Sequence, residues 1–599
     1  MKPSGKRPAP PAATKQAKTA AAKQAKPAQP AAAKQARPAK QARPAQPATA
    51  KRATATSGFL NPKLLYRIGI AIISIACLSA YTKTFDYKPD LNGDNINYYA
   101  LGHALADGKG YTSIMGIAET PHNHYPPGYP FIVSLAVRAG AGIIGVKMLN
   151  GVFFFLSCLI LYHLFYRTTK NVYITFFVTL LVALNASLLR SATTMMSEIP
   201  FLLFSSLALL LFSFLLEQKK CDRRYLLLLL GTAACAVAAY YIRTVGIALV
   251  LALVATLAAL LVASVWQNRK SAWRSILAEA RPLWVALVAV AAFFLLCKMP
   301  WDMRSERYGF KSSYMSQLAL QPGGTRITDL SGWIGRVKTN AARYATKEIP
   351  SGLLMAPVDY SKPADAKAWT LSAAILLAIG AGALLLKKKD IPLFFYTGGT
   401  AVILLFWPDI WFSPRFMAPI IPLLLFLMVM GLVKAAALLL ALLRVKARGA
   451  AVALAVAVVG LFLYPNASLA LSSAAAAAKS KSYTAANSAP ALAEYLDAIR
   501  WVKENTPKDA FVCTRKPEIF YLYSGGRKSA SFPNYATPEE IVEHLTNTKV
   551  RYVIIDRWFR HAYVTIIPAA QKYPDRFRVL WQTPSPEKDA PLTYVLEFT

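Results

Sequence analysis

The sequence predicts a polytopic α-helical membrane protein with about 11 transmembrane helices and a small C-terminal α/β domain. Of its 599 residues 55% are hydrophobic and only 16% are charged, whereas soluble globular domains have about 25% charged residues. Many of the apolar runs reach the roughly 20 residues that a helix needs to cross a bilayer. A large buried helical core cannot account for so many runs of this length.

The first 60 residues form a separate basic segment. Up to Arg67 the chain carries fifteen Lys and Arg and no Asp or Glu, in a low-complexity tract of Lys-Gln-Ala and Arg-Pro-Ala. Such a tract has nothing to bury and is predicted to be a disordered cytoplasmic tail, residues 1–60. We therefore predict that the basic residues of this tail attract anionic membrane lipids. The net charge of +38 is accordingly not taken to indicate a nucleic-acid partner.

Eleven apolar runs are predicted to cross the membrane, within a transmembrane domain of residues 61–475. Every loop assigned to the cytoplasm is basic, as the positive-inside rule requires, which predicts a multi-pass protein of the inner or plasma membrane with a cytoplasmic N-terminus. The run 128–141 is short and interrupted by Arg138, so we interpret it as a re-entrant or interfacial helix. The predicted spans are 66–83, 144–166, 172–190, 199–216, 225–242, 246–266, 283–299, 368–386, 391–407, 416–443 and 449–471.

Two polar loops, 84–127 and 300–366, and the C-terminal region are then predicted to lie outside. "SSAAAAAKSKS" reads as a linker, and residues 480–599 as a small extracytoplasmic α/β domain. "ALAEYLDAIRWVKEN" predicts an amphipathic helix, and "TPEEIVEHLTN" a helix capped by Thr537. "VRYVIID" and "LTYVLEF" predict strands.

Four charged residues stand alone at predicted outer ends of spans. Asp94 can cap a helix predicted from Asn95 to Ala106, and Glu198 can favour a helix N-terminus. Arg243 and Arg415 can each extend to the interface. If the four converge, however, they form a site in which carboxylates handle protons and arginines hold phosphate. Local chemistry supports the roles of helix cap and catalytic group equally well for Asp94.

Metal and cofactor signals are weak. His122 and His124 in "HNHYPPGYP" could bind a metal together, but a third ligand is not evident, and the six cysteines lack metal-ligand spacing. We predict no cofactor and no metal site, with a divalent metal left open.

The order of motifs resembles that of the GT-C membrane glycosyltransferases, which include the protein O-mannosyltransferases and the enzymes that add aminoarabinose to lipid A. "NGDNINYYALGHALADGKGY" resembles their first outer loop, with Asp94 followed by Tyr98 and by a Gly-Tyr turn. "YPPGYPF" resembles the His-Pro-Pro turn of that loop, with Tyr125 in the His place. "SEIPFLLF" and "SPRFMAPIIP" resemble the acid of the fourth span and the arginine stretch of a late span.

The resemblance covers about residues 60–440 and has one departure. Asn95 stands where many relatives have a second acid, which weakens any two-carboxylate or metal-dependent site.

The resemblance implies a glycosyltransferase that moves a sugar from a polyprenyl-phosphate donor to an acceptor hydroxyl on the outer face, with inversion. Asp94 is then the general base and Glu198 orients the acceptor or an arginine. Arg415, with Arg243 as a weaker second, stabilises the departing phosphate. The further substrate-binding residues are Tyr98, Tyr99 and Tyr125.

The acceptor, whether lipid, glycan or protein, is left open. The main alternative is a transporter or flippase of a lipid-linked substrate, which predicts internal repeats, and no clear repeat is seen. A membrane scaffold or receptor, with charges that only extend to the interface, is a third class.

Overall fold

The computed structural model describes most of the chain beyond the N-terminal tail. The described residues are 61–89, 91, 94–308, 318–321, 325–444, 448–483, 488–533, 536–583 and 592–599. The predicted disordered tail, residues 1–60, lies outside the described residues, as does part of the predicted 300–366 loop.

Helices make up the membrane part of the chain. In chain order they are α1 (Pro62–Thr84), α2 (Asn95–Ala106), α3 (Gly128–Arg138), α4 (Ile143–Thr169), α5 (Val172–Ala183), α6 (Ala186–Ala192), α7 (Glu198–Leu215), α8 (Arg223–Ile242), α9 (Ile247–Gln267), α10 (Trp273–Glu279), α11 (Arg281–Arg307), α12 (Leu330–Arg343), α13 (Ile349–Leu354), α14 (Ala366–Ala383), α15 (Ile391–Phe406), α16 (Ile421–Leu442) and α17 (Arg448–Lys479).

The described residues contain fewer candidate spans than the eleven that the sequence predicts. Within the described residues, nine helices are long and apolar enough to cross a bilayer, and α5 with α6, bent by 56°, makes a tenth candidate. The helix α17 covers the eleventh predicted run. The prediction of a polytopic helical membrane protein is thus confirmed.

The helix α3 is too short to cross the membrane. Its 11 residues give a length of about 16 Å, about half of the hydrocarbon thickness, so it can be only interfacial or re-entrant. It packs against α2, and Arg138 at its end donates hydrogen bonds to the carbonyl groups of Leu105 and Ala106. The helices α2 and α3, which follow α1 in the chain, therefore form a layer at the end of the helical bundle.

Two predicted boundaries are wrong because helices continue beyond the apolar runs. The helix α11 runs through Pro300 to Arg307, where a loop from residue 300 was predicted. Its extension is held by Arg304, which donates to the carbonyl oxygens of Tyr111 and His122. The helix α17 likewise runs through the predicted alanine-rich linker to Lys479, since alanine has the highest intrinsic helix propensity.

The C-terminal region forms a five-stranded mixed sheet with helices. The strand order is β4-β3-β5-β7-β6, with β3 parallel to β4 and β5, and β7 antiparallel to β5 and β6. The predicted helices and strands lie at the predicted places, and Thr537 and Glu540 form a capping box. The strands are β3 (Phe511–Cys513), β4 (Ser529–Ala530), β5 (Val550–Ile555), β6 (Phe577–Gln582) and β7 (Tyr594–Phe598), and the helices are α18 (Pro490–Asn505), α19 (Pro517–Tyr523), α20 (Pro538–Asn547) and α21 (Arg560–Lys572).

This sheet domain is packed onto the outer loop that contains α2. Leu91 and Ile96 belong to the same buried apolar cluster as Leu492 and Tyr495 of the sheet domain. The outer loop also forms a short antiparallel ribbon, β1 (Thr112–Ser113) with β2 (Thr120–Pro121). The described residues from Asn61 onward form one compact unit.

Candidate functional site

Asp94 precedes the first residue of α2, but its side chain makes no capping hydrogen bond to that helix. Its Oδ1 instead accepts a hydrogen bond of 3.0 Å from the hydroxyl group of Tyr125, and its Oδ2 accepts one of 2.6 Å from Nη2 of Arg415. The helix-cap explanation for this carboxylate therefore does not hold. Asp94 is directed towards an arginine that belongs to a late part of the chain.

Glu198 is the first residue of α7 and is fully buried. Its Oε1 accepts a hydrogen bond of 2.7 Å from Nε of Arg415 and lies 2.7 Å from Nη1 of Arg243. Two guanidinium groups thus share one carboxylate oxygen, while Oε2 has no hydrogen-bond partner within the described part of the chain. The structure brings Asp94, Glu198, Arg243 and Arg415 together into one charge cluster, in which two negative and two positive charges balance.

Arg243 reaches the charge cluster from a break in the helical chain. It follows α8 with extended backbone angles, and a short 3-10 turn separates it from α9. Its Nη1 also donates a hydrogen bond of 3.0 Å to Oγ of Ser197, which lies 3.2 Å from the hydroxyl oxygen of Tyr98. The break between α8 and α9 thus allows the side chain of Arg243 to point across the end of the helical bundle.

Three tyrosines and an asparagine support the charge cluster from one side. The rings of Tyr98 and Tyr125 lie 4.8 Å apart between centroids, and those of Tyr98 and Tyr129 lie 5.1 Å apart. The hydroxyl group of Tyr129 donates to Asn150, whose amide donates to the carbonyl groups of Thr194 and Met196. This chain of contacts fixes the backbone just before Glu198.

Tyr129 and Asn150 are supporting residues that sequence reasoning missed. A signal for Asn150 was present, because it is a lone amide within a long apolar run, where polar side chains are costly unless they are bonded. Tyr129 offered no comparable signal.

Tyr99, in contrast, is not brought to the charge cluster. Its ring packs edge-on against His103 at a centroid distance of 4.6 Å, and it is absent from the residues that line the cavity beside the charges. Its predicted role in substrate binding stays a prediction without a contact to support it.

His122 has both ring nitrogens engaged. Nε2 accepts a hydrogen bond of 3.1 Å from the backbone N–H of Tyr125, so Nδ1 carries the proton that is donated to Oγ of Ser113, 2.8 Å away. Burial lowers the pKa of His122 to about 4, which keeps the ring neutral at pH 7. Within the described residues, no group of three or more His, Cys, Asp or Glu is placed to hold a metal ion. The expectation that no metal is used stays a prediction.

A cavity of about 400 Å³ opens beside the charge cluster. Asp94, Arg243 and Arg415 lie on its wall, together with Tyr98, His124 and Tyr125. The rest of the lining is mostly apolar and contains Ile242, Val245, Ile403, Leu404, Trp407, Trp411 and Phe416. We call this space the site cavity. Its two kinds of wall suit a ligand with a charged group attached to an apolar body.

The two arginines retain unused donors next to the site cavity. Within the described residues, Nη1 of Arg415 and both Nε and Nη2 of Arg243 make no hydrogen bond. Guanidinium groups bind phosphate oxygens through pairs of N–H groups. The site can therefore accept an anion without first breaking every existing contact.

Asp94 is held in its ionised form. Burial alone would raise the pKa of its carboxyl group, but the charge of Arg415, its hydrogen bond and that of Tyr125 together hold the pKa below the ordinary value of 3.8. A carboxylate in this state can accept a proton from a substrate hydroxyl group, provided that the pairing with Arg415 is weakened during the reaction.

The loop that carries Arg415 is fixed by a buried amide. Asn340 of α12 donates to the carbonyl groups of Leu405 and Trp407 at 2.9 and 2.7 Å, and Nη1 of Arg343 donates to the carbonyl group of Asp409 at 2.7 Å. These bonds satisfy carbonyl groups at the end of α15 that a helix leaves unpaired. Part of the predicted 300–366 loop thus serves to position the loop before Arg415.

Comparison with known proteins agrees with the arrangement. Residues 93–308 match the family model described as dolichyl-phosphate-mannose-protein mannosyltransferase, a segment that includes Asp94, Glu198 and Arg243. No curated protein sequence matches the chain significantly.

Solved structures share the fold at low sequence identity. The archaeal oligosaccharyltransferase AglB from Archaeoglobus fulgidus, in complex with an inhibitory peptide and a dolichol-phosphate, is 14% identical over 89% of this chain and 74% of its own, with a TM-score of 0.51. ArnT from Cupriavidus metallidurans bound to undecaprenyl phosphate is 11% identical over 88% of this chain and 97% of its own, with a TM-score of 0.53.

The two comparisons cover different extents of the chain. The family model covers the first part of the membrane domain, and the shared fold extends over nearly the whole chain. The chain therefore shares the fold of the AglB and ArnT structures, and its residues 93–308 are similar to the dolichyl-phosphate-mannose-protein mannosyltransferase family.

Proposed function

We propose that the protein transfers a sugar from a polyprenyl-phosphate donor to an acceptor hydroxyl group on the outer face of the membrane, with inversion at the anomeric carbon. The observation that carries the proposal is the position of Arg415. It pairs with both Asp94 and Glu198 and still has an unused N–H group at the site cavity.

The donor class follows from the two walls of the site cavity. A phosphate group would bind the free N–H groups of Arg415 and Arg243, and the aromatic and aliphatic wall around Trp407 would contact the isoprenoid chain. The AglB and ArnT structures hold dolichol-phosphate and undecaprenyl phosphate, which supports the same class here. The sugar itself is left open.

The proposed chemical step is a single displacement. The acceptor oxygen forms a bond to the anomeric carbon while its proton passes to Asp94. The bond from the anomeric carbon to the phosphate oxygen breaks, and its electron pair leaves with the lipid phosphate. Arg415 then stabilises the negative charge that develops on the leaving group.

Donor binding and base strength are linked in this proposal. A donor phosphate competes with Asp94 for the N–H groups of Arg415. When Arg415 turns towards the phosphate, the carboxylate loses the interaction that lowers its pKa, so it becomes a stronger base. The site would therefore activate its base only when a donor is present.

The acceptor is proposed to approach from the side of the sheet domain. A second space of about 860 Å³ lies between residues 113–118 of the outer loop and the sheet domain, and Asn97 of α2 is on its wall. Asn97 and Tyr98, which line the two spaces, are successive residues of α2, which supports an approach of the acceptor from this side. The positive-inside rule, applied to the basic loops between the spans, supports the assignment of this side to the outer face. The acceptor can be a lipid, a glycan or a protein.

The test is an Asp94→Asn variant, assayed in membranes with polyprenyl-phosphate mannose and other polyprenyl-phosphate sugars. Asparagine keeps the size of the side chain and can accept the hydrogen bond of Tyr125, but it cannot accept the proton. A general base contributes roughly 10²–10⁴-fold, so transfer should fall by that factor. Asp107→Asn, an exposed carboxylate at the other end of α2, is the matched control and should keep wild-type transfer.

Three results would contradict the proposal. Transfer by Asp94→Asn at the wild-type rate would remove Asp94 from the chemistry. Movement of unmodified donor lipid between leaflets, with no transfer to any acceptor, would favour a flippase. Retention of the anomeric configuration in an isolated product would exclude the single displacement.

A further inference from the structure

A second cavity lies at the same end of the bundle and shares no residue with the site cavity. Its volume is about 420 Å³, and it is enclosed by the end of α1, the segment after it, α6 and the last part of α17. Its lining residues include three charged groups, Asp86, Lys88 and Arg190, and an apolar wall of Leu189, Met355, Leu469, Ala470 and Ala477.

The single acid of this second cavity is already neutralised. Lys147 of α4 is fully buried, and its Nζ lies 2.8 Å from Oδ1 of Asp86. The same ammonium group donates to the carbonyl oxygens of Asp86 and Lys88 at 2.6 and 2.7 Å. Asp86 therefore offers no free negative charge to a ligand.

Two cations remain to face the second cavity. Arg190 is exposed at the end of α6, and its guanidinium group makes no ion pair or hydrogen bond within the described residues. Nζ of Lys88 lies 5.5 Å from the ring centroid of Tyr483 and has no carboxylate partner among the described residues. With Asp86 and Lys147 cancelling each other, the second cavity carries two net positive charges.

The apolar wall of the second cavity continues towards the bilayer. Leu469 is 43% exposed, and Leu461, about two turns earlier on α17 and within its predicted span, is 73% exposed, so exposed apolar surface continues from the wall along the helix. A free inorganic anion would use the cations but not this wall. A molecule with an anionic headgroup and a hydrocarbon chain would use both.

We propose that the second cavity binds a phospholipid of the bilayer, with Arg190 and Lys88 on the headgroup phosphate and one acyl chain running from Leu469 towards Leu461. The bound lipid is not a reactant, since Asp86, the one carboxylate among the described lining residues, is paired with Lys147. This inference is independent of the proposed transfer reaction, because it concerns a different cavity and is measured by binding.

The experiment is a titration of the full chain in detergent with phosphatidylglycerol, followed by native mass spectrometry. The double variant Lys88→Gln/Arg190→Gln should bind phosphatidylglycerol at least 10-fold more weakly than the wild type. Ala477→Phe, which fills the second cavity without a change of charge, should weaken binding by a similar factor. The control double variant Lys83→Gln/Lys479→Gln removes two exposed cations near the same end and should change binding less than two-fold.

Two further ligands separate the headgroup from the chain. Diacylglycerol, which has the same chains without phosphate, and inorganic phosphate, which lacks the chains, should each bind at least 10-fold more weakly than phosphatidylglycerol. Equal binding of either ligand would overturn the proposal, as would an equal loss in the control variant or unchanged binding in Ala477→Phe.

Discussion

Nη2 of Arg415 lies 2.6 Å from Oδ2 of Asp94, although the two residues are 321 positions apart in the chain. The same guanidinium group places Nε 2.7 Å from Glu198. Its planar fork of donors allows one side chain to hold two carboxylates in fixed directions. The charge state and the direction of Asp94 therefore depend on what Arg415 contacts.

Replacement of Arg415 by Lys should impair donor binding even though the charge is kept. An ammonium group is a compact point charge and cannot reproduce the two directed contacts and a third to phosphate. We expect the KM for the donor to rise at least 10-fold, measured from initial rates against donor concentration. Arg138→Lys, which affects an arginine bonded to carbonyl groups of α2, should leave KM within three-fold, and an unchanged KM in Arg415→Lys would contradict the proposed phosphate contact.

Replacement of Glu198 by Gln should destabilise the folded protein. Loss of one partner of a fully buried ion pair costs about 3–5 kcal/mol, and partial exposure of Arg243 and Arg415 lowers our expectation to about 2 kcal/mol. Denaturant unfolding of the detergent-solubilised chain measures the difference. Glu217→Gln, which removes a half-exposed carboxylate paired with Arg167, should cost less than about 1 kcal/mol. An equal loss of unfolding free energy in the two variants would show that the buried charge cluster stabilises the fold no more than an exposed ion pair does.

A Cβ atom at Gly382 should separate two helices that support the site. The helices α14 and α16 pack closely, and such an atom would lie 1.8 Å from the carbonyl oxygen of Leu427. Gly382→Ala should therefore lower the midpoint of thermal unfolding and reduce transfer, because α16 follows the loop of Arg415. Gly380→Ala on the same helix meets no atom within 4 Å and should be neutral or stabilising by up to about 1 kcal/mol. The same midpoint in both variants would refute the close packing.

The sheet domain should become more stable as the pH falls from about 6 to about 4. Burial, partly opposed by hydrogen bonds from backbone N–H groups, raises the pKa of Asp556 to about 6 from its ordinary value of 3.8. In that window the folded state binds a proton that the unfolded state does not, so the free energy of unfolding rises as the pH decreases. At about 1.4 kcal/mol for each pKa unit, the gain is about 3 kcal/mol.

Hydrogen exchange of the β5 amides, corrected for intrinsic pH dependence, measures this gain. Asp556→Asn keeps an acceptor for the backbone N–H of Phe559 and should flatten the dependence, whereas Asp575→Asn should leave it unchanged. Identical pH profiles for the wild type and Asp556→Asn would contradict the assignment to Asp556.

Much of the architecture follows from local properties of the sequence. The length of an apolar run and the charge of its neighbouring loops are read along the chain, which is why the spans and the short α3 could be predicted. The capping box of Thr537 and Glu540 is also local, since its residues are three positions apart. The errors at Pro300 and at the alanine-rich last part of α17 arose where the apolar pattern ends but the helix does not.

The site shows where local properties are insufficient. Sequence alone assigned Asp94, Glu198, Arg243 and Arg415 to the outer ends of spans, but it could not decide whether Asp94 caps its helix, and it treated Tyr98 and Tyr99 alike. Successive residues on a helix point about 100° apart, so α2 directs Tyr98 into the site cavity and Tyr99 towards His103. The sequence by itself determined which segments are helical and which of them are apolar, because these properties depend on nearby residues. Only the tertiary structure decided the site, because its hydrogen bonds join groups separated by 31 to 321 residues.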